Sequence, residues 1–443
     1  MALKGLDIFK LTPRTNCKEC GNPTCMAFAM KVAQGTVQIE QCPHMSAEAL
    51  AALGEATAPP MKSVKIGAGD AEYTIGGETV LFRHDKTFVS KNLIAVSVNA
   101  ANADKTLPAL AKIDYERISE RMQVEIVNVE YTGDKGAFLE AVKKAAASGR
   151  ALILEVSDAS AAAEALALVK GGKAILNGAS PENYKEFVEI AKAAGAVLGV
   201  AAPNLDALYD TVKAIEELDY KELVLDVGDA SIKEAFANCV QIRRAALKDG
   251  DRSFGYPTLV NVKKLSGGCA HTEIALASLF TLKYASIVVL NEIGYEQALP
   301  LFGLRQNIFT DPQKPMTVEQ GNYPINGATE ASPCALTVDF ALTYFIISGE
   351  IERSGIPTNL LIPDAGGYSV LTAWAAGKLS AGSIARFIKD QEIENKIKNR
   401  DLMIPGKVAV LKGELEESLP DWNIIVAPNE AVSLVKFLKE RYS

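Results

Sequence analysis

No stretch of the 443-residue chain approaches the roughly 18 to 20 consecutive apolar residues needed to cross a bilayer. The N-terminal MALKGLDIFKLTPRT has neither an uninterrupted apolar core nor a small-residue cleavage site, so no secretory leader is read there. A basic surplus is missing too, because 46 Lys and Arg face 54 Asp and Glu for a formal net charge of -8. A surface that replaces phosphate counterions needs the opposite sign, so nucleic acid is excluded as a general partner. These absences predict a cytoplasmic protein that uses neither membrane nor nucleic acid and works with small molecules or other proteins. A disulfide framework is absent as well. Seven cysteines make an odd set, and four of them crowd into the first tenth of the chain, whereas an extracellular scaffold spreads an even set along it.

Apolar residues are plentiful, at 48% of the chain, enough for more than one core. Short β-branched runs alternate with Ala-, Glu- and Lys-rich stretches through the middle. The strand candidates are 93–100, 125–131, 151–157, 173–179, 196–202, 222–228, 257–262 and 286–292. Between them lie segments such as GAFLEAVKKAAASG and NLDALYDTVKAIEEL, whose apolar residues recur three and four apart, as helices covering a sheet require. Strands joined by such crossovers pair in parallel. This number of βα units within about 200 residues is the size of a (β/α)8 TIM barrel, and near-continuous apolar runs suit strands buried on both sides.

Around that barrel the composition changes. Residues 57–92 carry a Pro pair, a GAGD turn, a GG turn and short alternating strands, and read as a linker with a small hairpin. A Pro-, Gly- and Asn-rich segment ends the helical rhythm and places a boundary near residue 320. From 321 to 443, apolar runs at 340–348, 359–364, 407–415 and 423–428 are taken as strands separated by helices. An open, doubly wound Rossmann-like sheet is expected, with ligands gathering beyond the C-terminal ends of its strands, at the turns PDAGGYS and APNE. The expected domains are thus 1–56, 57–92, 93–320 and 321–443, in an α/β multidomain chain.

The first domain holds the pattern Cys17-x2-Cys20-x4-Cys25-x16-Cys42, followed at once by Pro43. Three ligands in one tight loop wrap a compact ion or cluster, and a distant fourth closes it. A helix is expected over MAFAMKVAQG, with Met26, Ala29, Met30 and Ala33 on one face and Gly35 as its stop, so Cys25 sits where the helix N-terminus favours thiolate. Zinc and an iron-sulfur cluster both take four thiolates. Zinc sites usually pair two close knuckles, so this arrangement favours the cluster. His44 reads as a surface residue, and Cys239, Cys269 and Cys334 as small buried ones.

With NCKECGNPTCMAFAMKVAQG, the later QCPH, the barrel, LTVDFALTYF and DAGGYSVLTAWAAGKLSA, the whole chain resembles the large (gamma) subunit of the corrinoid iron-sulfur protein of the acetyl-CoA (Wood-Ljungdahl) pathway. The resemblance implies a methyl carrier rather than a stand-alone enzyme. Its corrinoid cobalt accepts a methyl group from methyltetrahydrofolate through a separate methyltransferase and donates it to acetyl-CoA synthase. It implies a heterodimer with a small subunit, and a 4Fe-4S cluster on Cys17, Cys20, Cys25 and Cys42 that reduces Co(II) back to Co(I). It also implies a C-terminal corrinoid-binding domain, with contacts carried onto Thr337, Thr343, Gly366, Gly367, Tyr368, Ser369, Val370, Thr372, Ala427 and Pro428. None of the three histidines, His44, His84 and His271, stands in a DxHxxG setting, so no protein histidine is expected on cobalt. A strong axial donor would make reduction to Co(I) harder. Moving the corrinoid between partners would need flexible segments, expected at 57–89 and 303–335.

Polar residues also fall at the C-terminal ends of the barrel strands, namely Asn99, Asn102, Glu155, Asn177, Asp226, Asn261, Asn291 and Glu292, where barrel enzymes place their chemistry. A pterin-dependent methyltransferase site is therefore an alternative, as is a zinc-stabilised assembly protein. The preferred expectation is a scaffold barrel without a catalytic residue.

Overall fold

The computed structural model describes every residue except 1–4, 34–36, 38, 47–48, 51–59, 119, 170, 228–230 and 312–314. The chain forms two compact units. One holds the residues up to Ile113 together with Gln123–Phe309, and the other holds Asp114–Met122 together with Thr310–Ser443.

In the first unit, short helices Gly5–Leu11 and Cys25–Ala33 pack together. Gly5 lies so close to Met30 that a Cβ there would strike its sulfur. The second helix buries Cys25, Phe28, Ala29 and Val32, while Met30 is 46% exposed. The expected Met26–Ala29–Met30–Ala33 face is therefore wrong. Phe28 is the larger side chain to remove from water and turns the helix about its axis. The expected stop at Gly35 lies outside the described residues.

Strands β1 (Ser63–Ile66) and β2 (Tyr73–Gly76) form an antiparallel hairpin. The barrel follows with β3 (Leu93–Val98), and β4 (Asp114–Arg117) and β5 (Glu120–Gln123) make a second hairpin that belongs to the other unit up to Met122. The barrel continues through β6 (Ile126–Glu130), β7 (Ala151–Glu155), β8 (Ile175–Ala179), β9 (Val197–Ala201), β10 (Leu223–Asp226), β11 (Thr258–Asn261) and β12 (Ile287–Leu290). β12 pairs back onto β3, closing eight parallel strands. Every barrel strand falls within an expected run, since residues buried on both faces leave no polar alternation to blur the signal. Asp134, Asp158, Asn204 and Ser231 cap the helices at the C-terminal mouth, each satisfying an otherwise unpaired N–H of the first turn.

The hairpin within the stretch read as a linker packs into the barrel. Val64, Ile66 and Ile75 share one core with Leu93, Ile126, Ile175 and Leu259 from the first residues of the strands, so the first hairpin stops the barrel's N-terminal mouth. Beyond it, buried Glu78 accepts N–H groups of Val89 and Ser90 and lies 3.6 Å from buried Arg243. The unit ends with the helix Tyr295–Ile308, which places the division between Phe309 and Thr310 rather than near residue 320.

The second unit is an open sheet of β13 (Gly321–Ile325), β14 (Cys334–Leu336), β15 (Thr358–Ile362), β16 (Asp401–Ile404) and β17 (Asn423–Val426), in the order β13-β15-β14-β16-β17. Only β13 is antiparallel, on one edge, which accommodates its Pro324. Alternate residues serve two cores. Leu336, Leu361, Leu402 and Ile424 face the helix Ala381–Asp390 and its neighbours, whereas Ala335, Leu360, Met403 and Ile425 face the helices Ala341–Ser354 and Leu434–Tyr442. Two expected strands are helical instead. Residues 340–348 open the helix Ala341–Ser354, apolar on its outer face as well as its inner one. Residues 407–415 form a 3-10 turn and the start of the helix Lys412–Ser418, burying Val408, Leu411 and Leu415 at helical spacing.

Candidate metal centre and cofactor edge

Thr24 caps the helix Cys25–Ala33, its hydroxyl accepting the Ala27 N–H at 3.0 Å, so Cys25 is held at the positive helix end. Cys42 follows the 3-10 turn Ile39–Gln41 and is 6% exposed. Burial pushes the Cys42 thiol up, the His44 backbone N–H pulls it down, and the fields of Cys20, Cys25 and Cys17 raise it again. The structure thus gathers all four sequence-expected cysteines in one place. Arg14, Asn16, Lys18 and Gly21 have positive φ, the handedness with which a backbone curls its N–H groups around an anionic group. His44 Nε2 lies 2.9 Å from Glu19 Oε2, both exposed, and with Cys17 they place one ligand atom each within 4.8 Å of one another. His44 is thus a surface residue, though a paired one. Four neighbouring thiols, three of them within residues 17–25, are a donor set that suits an iron-sulfur cluster. Of the isolated cysteines, Cys239 and Cys334 are fully buried. Cys269 is exposed, at the residue before the helix Ala270–Leu282, which corrects the expectation of three buried thiols.

The residues carried over for a corrin fall along the C-terminal edge of the open sheet. Thr337 follows β14, the Gly366–Val370 turn follows β15, and Ala427 and Pro428 follow β17. Thr343 is half-buried in the first turn of the helix Ala341–Ser354, and Thr372 is exposed in the helix Val370–Ala375, its hydroxyl 3.0 Å from that of Ser369. The turn is held from beneath by a residue that sequence reasoning missed. Buried Asp339 accepts the Gly367 N–H at 3.0 and 3.1 Å. Burial pushes the Asp339 carboxyl above its usual range, against the pull of the Gly367 and Ala365 N–H groups. Gly367 has φ +74, and a Cβ there would meet Pro315 at 2.7 Å and Thr317 at 2.8 Å. Gly406, also missed, lets the loop after β16 press against Ala427 and Asn429.

A flat macrocycle with amide arms needs close backbone, polar partners and apolar surface. The Thr337 hydroxyl is buried without a hydrogen-bond partner among the described residues, a group that a bound ligand would satisfy. On the turn and helix that follow β15, Tyr368, Leu371 and Trp374 are between 41% and 47% exposed, a local apolar surface. Close backbone, an unpaired hydroxyl and exposed apolar rings suit a corrin.

The barrel mouth holds a cavity of about 330 Å³ lined in part by Glu155, Asn177, Asp226 and Lys264. Its polar groups are mutually paired: Asn177 donates to Asp226 at 2.8 Å, Asn128 to Glu155 at 2.8 Å, and Lys264 lies 3.0 Å from Glu155. Asn261 also reaches Glu155, at 3.4 Å. Asn99 and Asn102 instead bond each other's backbone, and the Asn291 N–H binds Glu273.

The profile of the CO dehydrogenase/acetyl-CoA synthase delta subunit family matches residues 63–438, and one named for an Fe-S cluster matches 13–44. The corrinoid/iron-sulfur protein large subunit of Moorella thermoacetica is 40% identical, over 99% of both chains. The chain belongs to the corrinoid/iron-sulfur protein large-subunit family. The gamma subunit of the acetyl-CoA decarbonylase/synthase complex of Methanopyrus kandleri is 31% identical, over 99% of this chain and 98% of its own. Among solved structures, the 7,8-dihydropteroate synthase from Vibrio fischeri ES114 aligns with 55% of the chain and 97% of its own, at 13% identity and a TM-score of 0.39. Among the described residues, no helix of this large-subunit chain is long and apolar enough to cross a membrane.

Proposed function

We propose that the chain is a methyl carrier of the acetyl-CoA pathway, with a 4Fe-4S cluster on Cys17, Cys20, Cys25 and Cys42 and a corrinoid at the C-terminal edge of the open sheet. The observation that carries this reading is a neighbourhood of four cysteines, close enough for their charges to act on Cys42, in a chain whose sheet edge offers the unpaired Thr337 hydroxyl. When bound, the corrinoid supplies a cobalt centre that accepts and donates a methyl group, and the cluster supplies the electron that restores its reduced state. Thr337, Thr343, Gly366, Gly367, Tyr368, Ser369, Val370, Thr372, Ala427 and Pro428 would hold the macrocycle, with Asp339 fixing the Gly367 turn. None of His44, His84 and His271 stands in a DxHxxG setting, which supports a cobalt without a protein histidine ligand. The name of the Moorella relative supports a small-subunit partner, in a heterodimer. That of the Methanopyrus relative supports acetyl-CoA synthase as methyl acceptor, with a methyltetrahydrofolate methyltransferase as donor. Delivering electrons from a low-potential donor to the corrinoid-loaded heterodimer tests the cluster's part. Reduction of the corrinoid should be fast in the wild type and lost in Cys42→Ser. Equal rates would refute that part.

A second reading is favoured by the barrel-mouth cavity, whose Asp226 and Asn177 are paired side by side. In it the barrel binds a pterin and performs methyl transfer itself. Titrating methyltetrahydrofolate into the purified heterodimer without methyltransferase discriminates. The leading reading expects no heat of binding that Asp226→Ala removes.

A further inference from the structure

Residues 13–24 carry the first two cysteines on a largely exposed loop, yet Asn22 within it is only 4% exposed. A buried asparagine among solvated neighbours needs a reason. Its side-chain amide donates to the Cys20 carbonyl at 3.0 Å and also lies 3.7 Å from the Cys20 sulfur. A second asparagine treats Cys25 in a related way. Asn16, at φ 51, accepts the Cys25 N–H on its Oδ1 at 2.8 Å and points its own backbone N–H at the Cys25 sulfur at 3.4 Å. Two of the four candidate ligands thus each face an N–H donor from an asparagine of the NCKECGNPTC loop. Asn16 uses its main chain for this, so a side-chain change leaves the donor in place. Asn22 uses its side chain, and its donor is removable.

We propose that Asn22 is a positioning residue that sets the reduction potential of the N-terminal cluster by donating an amide hydrogen bond to the Cys20 thiolate; this rests on the cluster reading above. An added electron raises the negative charge on the ligand sulfurs, and an N–H aimed at one of them stabilises that state more than the oxidised one. Hydrogen bonds around ligands tune metal sites in this way. Burial strengthens the effect by keeping water from replacing the donor. The bland role, a loop brace through the Cys20 carbonyl, predicts an effect on stability alone.

The test is an EPR-monitored redox titration of the anaerobically prepared full-length protein with its small subunit, for wild type and Asn22→Leu, after iron and sulfide analysis. About four of each per chain establishes the cluster first; zinc in their place would sink the cluster reading itself. With the cluster present, Asn22→Leu should titrate at a more negative potential than wild type, with its iron content retained. An unchanged potential overturns the proposal. Should the variant lose its cluster, pulsed EPR on reduced wild type labelled with side-chain 15N-asparagine decides. A resolved coupling from a side-chain amide nitrogen supports the hydrogen bond, and its absence overturns it.

Discussion

Asp339 and Gly367 lie 28 residues apart and meet beneath the turn proposed to hold the corrin. Burial raises the carboxyl above its ordinary 3.8, so its neutral form is the one the fold favours. The stability that this preference contributes is complete below about 3.8 and is lost as pH climbs through the raised value. The substitution Asp339→Asn keeps an acceptor and removes the titration. The urea midpoint of wild type relative to that variant should therefore fall with rising pH across that window. Both tryptophans of the chain, Trp374 and Trp422, lie in this unit, so tryptophan fluorescence reads it directly. Gly367→Ala should cost about 1 kcal/mol or more by the same signal, because alanine resists φ +74 and its methyl meets Pro315 and Thr317. The cysteines were legible in the sequence, because ligand spacing within a loop is local. Asp339, Asn16 and Asn22 were not, because their hydrogen bonds exist only once the chain has folded around them.

Among the elements, the barrel strands were legible and the second sheet only in part. Runs such as LIAVSV, buried at every position, have no other plausible home. β14 has three residues, too few to show a period, and the helix Ala341–Ser354 hides its period behind exposed Leu342, Phe345 and Ile346. Val408-Ala409-Val410-Leu411 imitates a strand for the same reason. The β1–β2 hairpin was seen, but its packing was not, since nothing local says that Ile75 fills the barrel's end. Ile75 is fully buried, so Ile75→Ala should lower stability by about 2–5 kcal/mol, read as a reduced urea midpoint. Glu125 and Arg305 form a buried pair at 2.8 Å. Arg305→Met removes the carboxylate's ionic partner, leaving it the Ile94 N–H, and should cost about 3–5 kcal/mol, with Glu125→Gln in the same background recovering part of it.

Across the whole molecule, the chain passes between its two units at three places, before Asp114, after Met122 and after Phe309. The β4–β5 hairpin belongs to the C-terminal unit, where Ile118 joins the core of Ile351, Leu360 and Leu438 and Arg117 lies over the Phe345 ring. Of the two segments expected to be flexible, 303–335 contains the crossing after Phe309, and within the other Val64, Ile66 and Ile75 join the barrel core. The account as a whole stands on two cofactors in one polypeptide. Metal analysis of the anaerobically purified heterodimer, with a visible spectrum, tests this most directly. The predicted result is about four iron and about one cobalt per heterodimer, with the iron lost in Cys42→Ser and the cobalt kept. Iron without cobalt, or zinc alone, would contradict it.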